Sequence, residues 1–127
     1  MAHPATWPFL ASLVLATSAP IATGETDFTP TAFAEAEASG RVIVVETYAY
    51  WCLACRLQAP LIASLLQQDA YRNVVVLRIG EDAPHHVWKQ FGLKSYGMLV
   101  VIKSGQEVAR GTATTKSAVE ALLQRAL

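Results

Sequence analysis

The chain of 127 residues contains only two cysteines, and both lie in one segment, WCLAC, at residues 51–55. Because no second cysteine pair is present, the zinc sites that four cysteines build are excluded. An excess of charge of either sign is also absent, since ten acidic side chains balance ten basic ones. This balance leaves no electrostatic signal for a nucleic-acid partner. The length allows one small domain with a single hydrophobic core.

The first 24 residues lack charged side chains, because no Asp, Glu, Lys or Arg precedes Glu25. They hold an apolar run at residues 9–16, which is shorter than the ~20 apolar residues that span a bilayer. Together with the small residues that follow, this pattern predicts a signal peptide at residues 1–24, cleaved after Ala19 or Gly24. The alternatives are a disordered tail and an uncleaved interfacial anchor. The predicted location is the periplasm, where disulfides persist.

The two cysteines lie between a strand-like run at residues 41–48 and a helix-like stretch at residues 56–68. A Cys-x-x-Cys pair at such a junction is typical of a thiol–disulfide redox site. The positive end of the helix favours the thiolate of Cys52, and Cys55 lies close enough on the same helical face to close a disulfide. The alternatives are a metal site and an inert disulfide, although so short a loop constrains the unfolded chain little.

Hydrophobic periodicity predicts an α/β fold in which helices cover both faces of a central mixed sheet of about four strands. The predicted helices span residues 29–40, 52–68 and 84–91 and a last segment that begins with a capping box from Ser117 to Glu120. The predicted strands are residues 42–48, 74–79, 98–103 and 107–110, of which the last two form a hairpin. Leucines at positions 53, 57, 61 and 65 of the second helix share one stripe, and Pro60 is expected to kink it.

This order of elements around WCLAC resembles the thioredoxin superfamily from residue 29 to residue 127. Trp51 matches the aromatic residue before the motif, Pro60 matches the proline of the active-site helix, and Glu46 matches a carboxylate buried below the disulfide. With the export-like start, the domain at residues 25–127 looks most like secreted and periplasmic thioredoxin-like proteins related to TlpA and to the C-terminal domain of DsbD.

The resemblance implies catalytic roles for three residues. Cys52 would attack a substrate disulfide, Cys55 would resolve the mixed disulfide, and Glu46 would accept the Cys55 proton. The lysine that many thioredoxins bring close to this carboxylate is absent, with Val76 or a neighbour at that strand position. Glu46 is therefore expected to lack one of its usual modulators.

The sequence departs from the family pattern at Gly97, which occupies the position of the family's cis-proline. No proline follows Pro84. A cis bond before any other residue costs ~2.5–4 kcal/mol, so we expect a trans peptide and a less ordered loop. The residues expected to contact the substrate are Trp51, Tyr96 and Gly97.

The resemblance implies an enzyme, a periplasmic thiol–disulfide oxidoreductase that acts on protein disulfides or dithiols. We expect a monomeric reductant that needs no cofactor, binds no nucleic acid and receives electrons from a membrane donor. In the alternative function, Cys52 and Cys55 bind a soft metal such as Cu(I) or Zn²⁺, or an Fe–S cluster, because Gly97 leaves the approach open. His85 and His86 are expected to be solvated surface residues. The main prediction therefore assigns no metal ligand. A third alternative is a binding module in which the cysteines are incidental.

Overall fold

The structure is a computed structural model that describes residues 3–4 and 24–127. These residues form five strands and four α-helices, which alternate except for one pair of consecutive strands, and a short 3-10 turn lies at Asp69–Tyr71. In chain order they are β1 (Gly24–Asp27), α1 (Pro30–Ala38), β2 (Val42–Thr47), α2 (Leu53–Leu66), β3 (Val74–Ile79), α3 (His85–Gln90), β4 (Leu99–Lys103), β5 (Gln106–Gly111) and α4 (Lys116–Gln124).

The strands form one mixed sheet in the order β1-β3-β2-β4-β5. The β1 and β2 strands run parallel to β3, whereas β4 is antiparallel to both β2 and β5. The predicted α/β fold with a mixed sheet is confirmed, and the sheet has five strands. The additional strand is β1, whose sequence Gly-Glu-Thr-Asp lacks the apolar run that marks a buried strand. Its strand conformation comes from pairing with β3 at the edge of the sheet.

The core has two layers, one on each face of the sheet. Alternate residues of β2 and β3 that include Val44 and Val76 pack against α2 and α4. The intervening residues, which include Val45 and Leu77, pack against α1 and α3. Since side chains alternate along a strand, Glu46 lies on the α2 and α4 face, as Val44 does.

The ends of α1 follow its sequence signals. The Thr29 side chain accepts a hydrogen bond from the Ala32 amide at 2.9 Å, and Pro30 opens the helix, where its missing N–H costs nothing. Gly40 follows the helix with a φ of 69°, a conformation that glycine adopts without steric strain. The predicted helix is therefore present with its expected ends.

The leucine stripe of α2 does not form the buried face of that helix. Leu53 and Leu57 are 69% and 48% exposed, and the buried residues are Cys55, Gln58, Ile62 and Leu65. The leucines contribute to the core only at the C-terminal end of the stripe, where Leu65 is fully buried and Leu61 packs against the core. Pro60 lies inside the helix, where its ring nitrogen has no proton to donate.

The cap of α4 differs from the predicted capping box. The helix begins at Lys116, and Thr115 is the N-cap, its hydroxyl accepting a hydrogen bond from the Ala118 amide at 3.3 Å. Ser117 therefore lies inside the first turn. Thr115 takes the cap because its backbone is extended, at φ −122° and ψ 155°, which is the conformation that an N-cap requires.

The predicted signal peptide lies outside the described residues, except for residues 3–4 and for Gly24, the first residue of β1. Within residues 3–4 and 24–127, no helix is both long and apolar enough to cross a bilayer.

Two substitutions distinguish the caps of α4. We expect Thr115→Ala to lower the free energy of unfolding by about 1 kcal/mol, the usual contribution of an N-cap hydroxyl. The matched change Ser117→Ala, two residues along the same turn, should alter it by less than about 0.5 kcal/mol. Urea unfolding followed by circular dichroism measures both values, and a larger loss in Ser117→Ala would contradict the observed cap.

Candidate active site

The two cysteines meet at the start of α2. Their sulfur atoms lie at disulfide distance, and their Cα atoms are 5.3 Å apart. Cys52 is the N-cap of α2, and its sulfur accepts a hydrogen bond from the Cys55 amide at 3.2 Å. Cys52 keeps 8% of its surface exposed, whereas Cys55 keeps 1%. The cysteine nearer to solvent is therefore also the one that the helix N-terminus faces.

Cys55 lies against the end of β2. Its sulfur is 3.4 Å from the Thr47 carbonyl oxygen, to which a Cys55 thiol would donate a hydrogen bond. The same carbonyl accepts the Gly97 amide at 3.0 Å. One backbone oxygen of β2 thus connects the resolving position of the cysteine pair to the loop that precedes β4.

Glu46 is buried on the face of the sheet that carries α2, with 1% of its surface exposed. This burial agrees with the resemblance, which implies a carboxylate buried below the disulfide. Burial first, and then the hydrogen bond and the charge of Glu25, raise the pKa of Glu46 from 4.5 to about 8. Arg78 acts in the opposite direction by pairing with the carboxylate. The carboxyl can therefore hold or release a proton near neutral pH.

The lysine of the family pattern is absent, but an arginine supplies a cation to Glu46. The Nε of Arg78 donates a hydrogen bond to Oε1 of Glu46 at 2.8 Å. Arg78 lies two residues beyond Val76 on β3, opposite Glu46 in the register of the parallel pair. The family's lysine position matches Val76 or a neighbour in the sequence, and the charge comes instead from Arg78.

Arg78 makes two further contacts. Its Nη2 pairs with Oε1 of Glu25, a residue of β1. Its guanidinium lies over the Tyr48 ring, 3.7 Å from the ring centroid, in a cation–π contact. Together with the hydrogen bond to Glu46, these contacts fix the orientation of the Arg78 side chain.

The loop at Gly97 is held by hydrogen bonds rather than by a proline ring. Thr47 contributes most of them, because its hydroxyl donates to the Ser95 carbonyl at 2.9 Å and accepts the Met98 amide at 2.8 Å. Gln58, which is fully buried in α2, donates from Nε2 to the Gly97 carbonyl at 2.7 Å. No peptide bond among the described residues is cis, as expected for Gly97. The expected loss of order therefore does not follow from the missing proline alone.

Gly97 approaches the cysteine pair closely. A Cβ atom at this position would lie 3.9 Å from the Cys52 sulfur and 3.2 Å from the Cβ of Ala54. The φ of Gly97 is 81°, which side chains rarely adopt. Both the backbone conformation and the available space therefore require glycine here.

Aromatic side chains border the disulfide. The Tyr96 ring makes edge contacts with Trp51 at 4.9 Å and with Trp88 at 5.1 Å between ring centroids. The Trp51 indole donates to Oε1 of Glu81 at 2.6 Å, while 56% of the residue stays exposed. The three predicted substrate contacts, Trp51, Tyr96 and Gly97, thus lie around the cysteines, at the end of the sheet where β2 finishes.

The geometry gives the metal-binding alternative no additional ligands. His85 and His86 are exposed on α3, as expected. Among the described residues, no three His, Cys, Asp or Glu side chains lie close enough together to hold a metal ion.

Four residues of this site were missed by the sequence argument. Thr47 and Gln58 bind the Gly97 loop, and Arg78 and Glu25 contact the Glu46 system. Gln58 carried a signal, because it is a polar residue three positions after Cys55, on the face that the helix buries. Arg78 carried another, as the one charged residue in the apolar strand β3. Glu25 carried none, since β1 itself was not predicted.

Comparison with known proteins agrees with this geometry. Residues 25–125 match the Thioredoxin family. Thioredoxin from Chlamydia muridarum is 35% identical over 78 residues, which cover 61% of this chain and 74% of that protein. The crystal structure of Trxlp from Edwardsiella tarda is 32% identical, with a TM-score of 0.72, and the match covers 78% of this chain and 97% of that one.

A further solved structure shows the fold alone. Thioredoxin from Fasciola hepatica is 23% identical with a TM-score of 0.65, over 76% of this chain and 93% of that one. The match of residues 25–125 includes the sheet from Glu25 onward, the cysteine pair and all four helices. The chain therefore belongs to the thioredoxin family and is a thiol–disulfide oxidoreductase, with Cys52 and Cys55 at disulfide distance.

Proposed function

We propose that the chain is an exported oxidoreductase that reduces protein disulfides, with Cys52 as the nucleophile and Cys55 as the resolving thiol. The observation that carries this assignment is the hydrogen bond from the Cys55 amide to the Cys52 sulfur at 3.2 Å, at the N-terminus of α2. An N–H donor and the positive end of a helix both stabilise a thiolate. Cys55 is 1% exposed, so it meets the substrate only after Cys52 has attacked.

The proposed reaction has two displacement steps. The Cys52 thiolate attacks one sulfur of the substrate disulfide, and the other substrate sulfur leaves as a thiolate. Cys55 then transfers its proton to the Glu46 carboxylate and attacks the Cys52 sulfur, which releases the first substrate sulfur as a thiolate. Two electrons have passed from the dithiol to the substrate, and each released thiolate takes a proton from solvent.

The protonation of Glu46 supports its part in this cycle. Burial and Glu25 raise the pKa of Glu46 to about 8, so the oxidised protein holds a proton on this carboxyl at neutral pH. When a donor reduces the disulfide again, that proton is available for the departing Cys55 thiolate. The carboxylate left behind can then accept the Cys55 proton in the next turnover.

The surface around the disulfide supports protein substrates, the kind on which thioredoxins act. Tyr50, Trp51 and Leu53 are 77%, 56% and 69% exposed, which provides apolar contacts beside the reactive sulfur. Tyr96, which contacts Trp51, and Gly97 would border the substrate as well. Exposed aromatic side chains that become buried on binding are a frequent source of binding energy between proteins.

The proposed location is the periplasm, and the narrower likeness to TlpA and the C-terminal domain of DsbD is part of this proposal. Its support is the uncharged start, with the apolar run at residues 9–16. The periplasm is kept oxidising, so a reductant there needs a supply of electrons, which we assign to a membrane donor. We propose that the protein acts as a monomer.

Two cysteine substitutions test the catalytic assignment. We expect Cys52→Ser to reduce insulin disulfide exchange to the uncatalysed background, because the attacking thiolate is lost. The matched change Cys55→Ser should trap mixed disulfides that non-reducing electrophoresis and mass spectrometry detect. Unchanged exchange rates in both variants would contradict the assignment.

The direction of exchange is tested by the reduction potential of the Cys52–Cys55 pair in the wild type. A value near ~−270 mV would identify a reductant and one near ~−120 mV an oxidant.

The raised pKa of Glu46 predicts how stability depends on pH. Because the pKa rises from 4.5 to about 8 on folding, the folded oxidised protein binds a proton that the unfolded chain releases between these values. The resulting stabilisation is complete below about pH 4.5 and is lost as the pH rises through about 8.

This dependence is measurable from the melting temperature, Tm, of the oxidised protein between about pH 5 and about pH 9. We expect the Tm of the wild type to fall more steeply with pH than that of Glu46→Gln, which keeps the shape of the side chain but cannot ionise. Glu35→Gln, an exposed change on α1, should follow the wild type. Parallel curves for the wild type and Glu46→Gln would argue against the raised pKa.

Export is tested by expressing the full chain in a bacterium and fractionating the cells. We expect a periplasmic product that is shorter by 19 or 24 residues, as cleavage after Ala19 or Gly24 requires. A charge in the apolar run, as in Val14→Arg, should keep the protein uncleaved. Intact-mass spectrometry measures both products, and a cytoplasmic protein with an unprocessed N-terminus would refute the proposed location.

A further inference from the structure

Two carboxylates share one guanidinium at the end of the sheet. Arg78 donates from Nε to Oε1 of Glu46 at 2.8 Å and pairs through Nη2 with Oε1 of Glu25. The three residues come from β2, β3 and β1, which are neighbours in the sheet. Glu25 pairs in register with Val76, so its side chain lies on the same face of the sheet as those of Arg78 and Glu46.

Burial decreases along this row of side chains. Glu46 is 1% exposed, Arg78 is 25% exposed and Glu25 is 29% exposed. Oε2 of Glu46 is buried and accepts no hydrogen bond from the described residues. An ionised Glu46 would therefore leave a desolvated oxygen without a donor, whereas a protonated Glu46 can form a hydrogen bond with Glu25.

A single cation cannot neutralise two carboxylates. With Glu25 ionised, Nη2 of Arg78 pairs with Glu25 rather than with Glu46. A second negative charge then lies close to Glu46. Two carboxylates that share a site hold a proton more tightly than either would alone.

We propose that Glu25 is a positioning residue for disulfide exchange, which divides the pairing of Arg78 between two carboxylates and thereby determines when Glu46 gives up its proton. This inference rests on the proposed function of Glu46 as the proton carrier for Cys55. Glu25 acts only through Arg78 and Glu46, and it is not assigned a contact with substrate.

The elements packed against this face supply no competing charge. The buried residues of α2 and α4 on this face are Cys55, Gln58, Ile62, Leu65, Val119 and Leu123, none of which is charged at neutral pH. The β4 residue opposite Glu46 is Leu99. Tyr48 lies under the Arg78 guanidinium, and Tyr71 and Arg72 lie at the other end of this face, beside Val74. Asp27, two residues after Glu25 on the same face of β1, lies opposite Arg78 in register and lines a cavity with it. The charged groups that act on Glu46 itself are Glu25 and Arg78.

The two charges predict shifts of opposite sign. Glu25→Gln removes the competing carboxylate and leaves Arg78 to pair fully with Glu46, so Glu46 should titrate about one pH unit lower. Arg78→Gln removes the cation and should move the titration of Glu46 to higher pH. Glu35→Gln, the same chemical change on an exposed acid of α1, should leave it unchanged.

The experiment follows the Glu46 carboxyl carbon by ¹³C NMR during a pH titration of the full oxidised chain, with assignment by Glu46→Gln. The same variants are then assayed for the pH dependence of insulin disulfide reduction. A downward shift in Glu25→Gln and an upward shift in Arg78→Gln support the proposal. A Glu46 titration that is the same in the wild type and Glu25→Gln overturns it, provided that the amide spectrum shows β1 still paired.

The two readouts separate this inference from the proposed function. If the NMR titration shifts and the pH profile of reduction moves with it, both are supported. If the titration shifts and the profile stays fixed, Glu25 still controls the proton on Glu46, but the role of Glu46 as proton carrier is refuted. Should Glu25→Gln disrupt β1, the upward shift in Arg78→Gln decides the case, because an unshifted titration there also overturns the proposal.

Discussion

The burial of β2 on both faces is the constraint on which the rest of the structure depends. All six residues from Val42 to Thr47 are buried, and the strand is hydrogen-bonded to β3 on one side and β4 on the other. A strand in this position has no freedom to slip, because a shift by one residue would exchange its two faces. Glu46 and Thr47 are therefore fixed on opposite faces, just before the chain turns into the cysteine segment.

Glu46 and Thr47 each position a different part of the site. The backbone carbonyl of Thr47 accepts a hydrogen bond from the Gly97 amide and lies beside the Cys55 sulfur. The Thr47 hydroxyl is hydrogen-bonded to the Ser95 carbonyl and the Met98 amide. Glu46 faces the layer of α2 and α4 and pairs with Arg78. Thus one residue controls the geometry of the loop opposite the disulfide, and its neighbour provides the titratable group. The position of both is determined by the core rather than by contacts within the loop.

The parts of this site that the sequence could predict are those with a local pattern. WCLAC between a strand and a helix predicted the cysteine geometry, and the resemblance to the thioredoxin superfamily implied that Glu46 is a carboxylate buried below the disulfide. The loop at Gly97 was located correctly, but its hydrogen bonds to Thr47 and Gln58 join segments about 40 to 50 residues apart, and periodicity carries no information on such pairs. Arg78 was overlooked for a related reason, since its partner is determined by the register of β2 against β3. At α4, both Thr115 and Ser117 are residue types that cap helices, and only the backbone conformation distinguishes them.

Glu25 belongs to a four-residue strand at the edge of the sheet that, among residues 3–4 and 24–127, pairs with β3 alone. Such a strand is the part of a sheet that detaches most easily, because it has hydrogen bonds on one side only and buries little apolar surface. When β1 leaves the sheet, Glu25 leaves with it, and Arg78 is then available to Glu46 alone. Under the proposed role of Glu25, the protonation of Glu46 is therefore coupled to a local unfolding equilibrium of β1. A partner that binds or displaces the segment before α1 would then change the reactivity of the cysteines without contacting them.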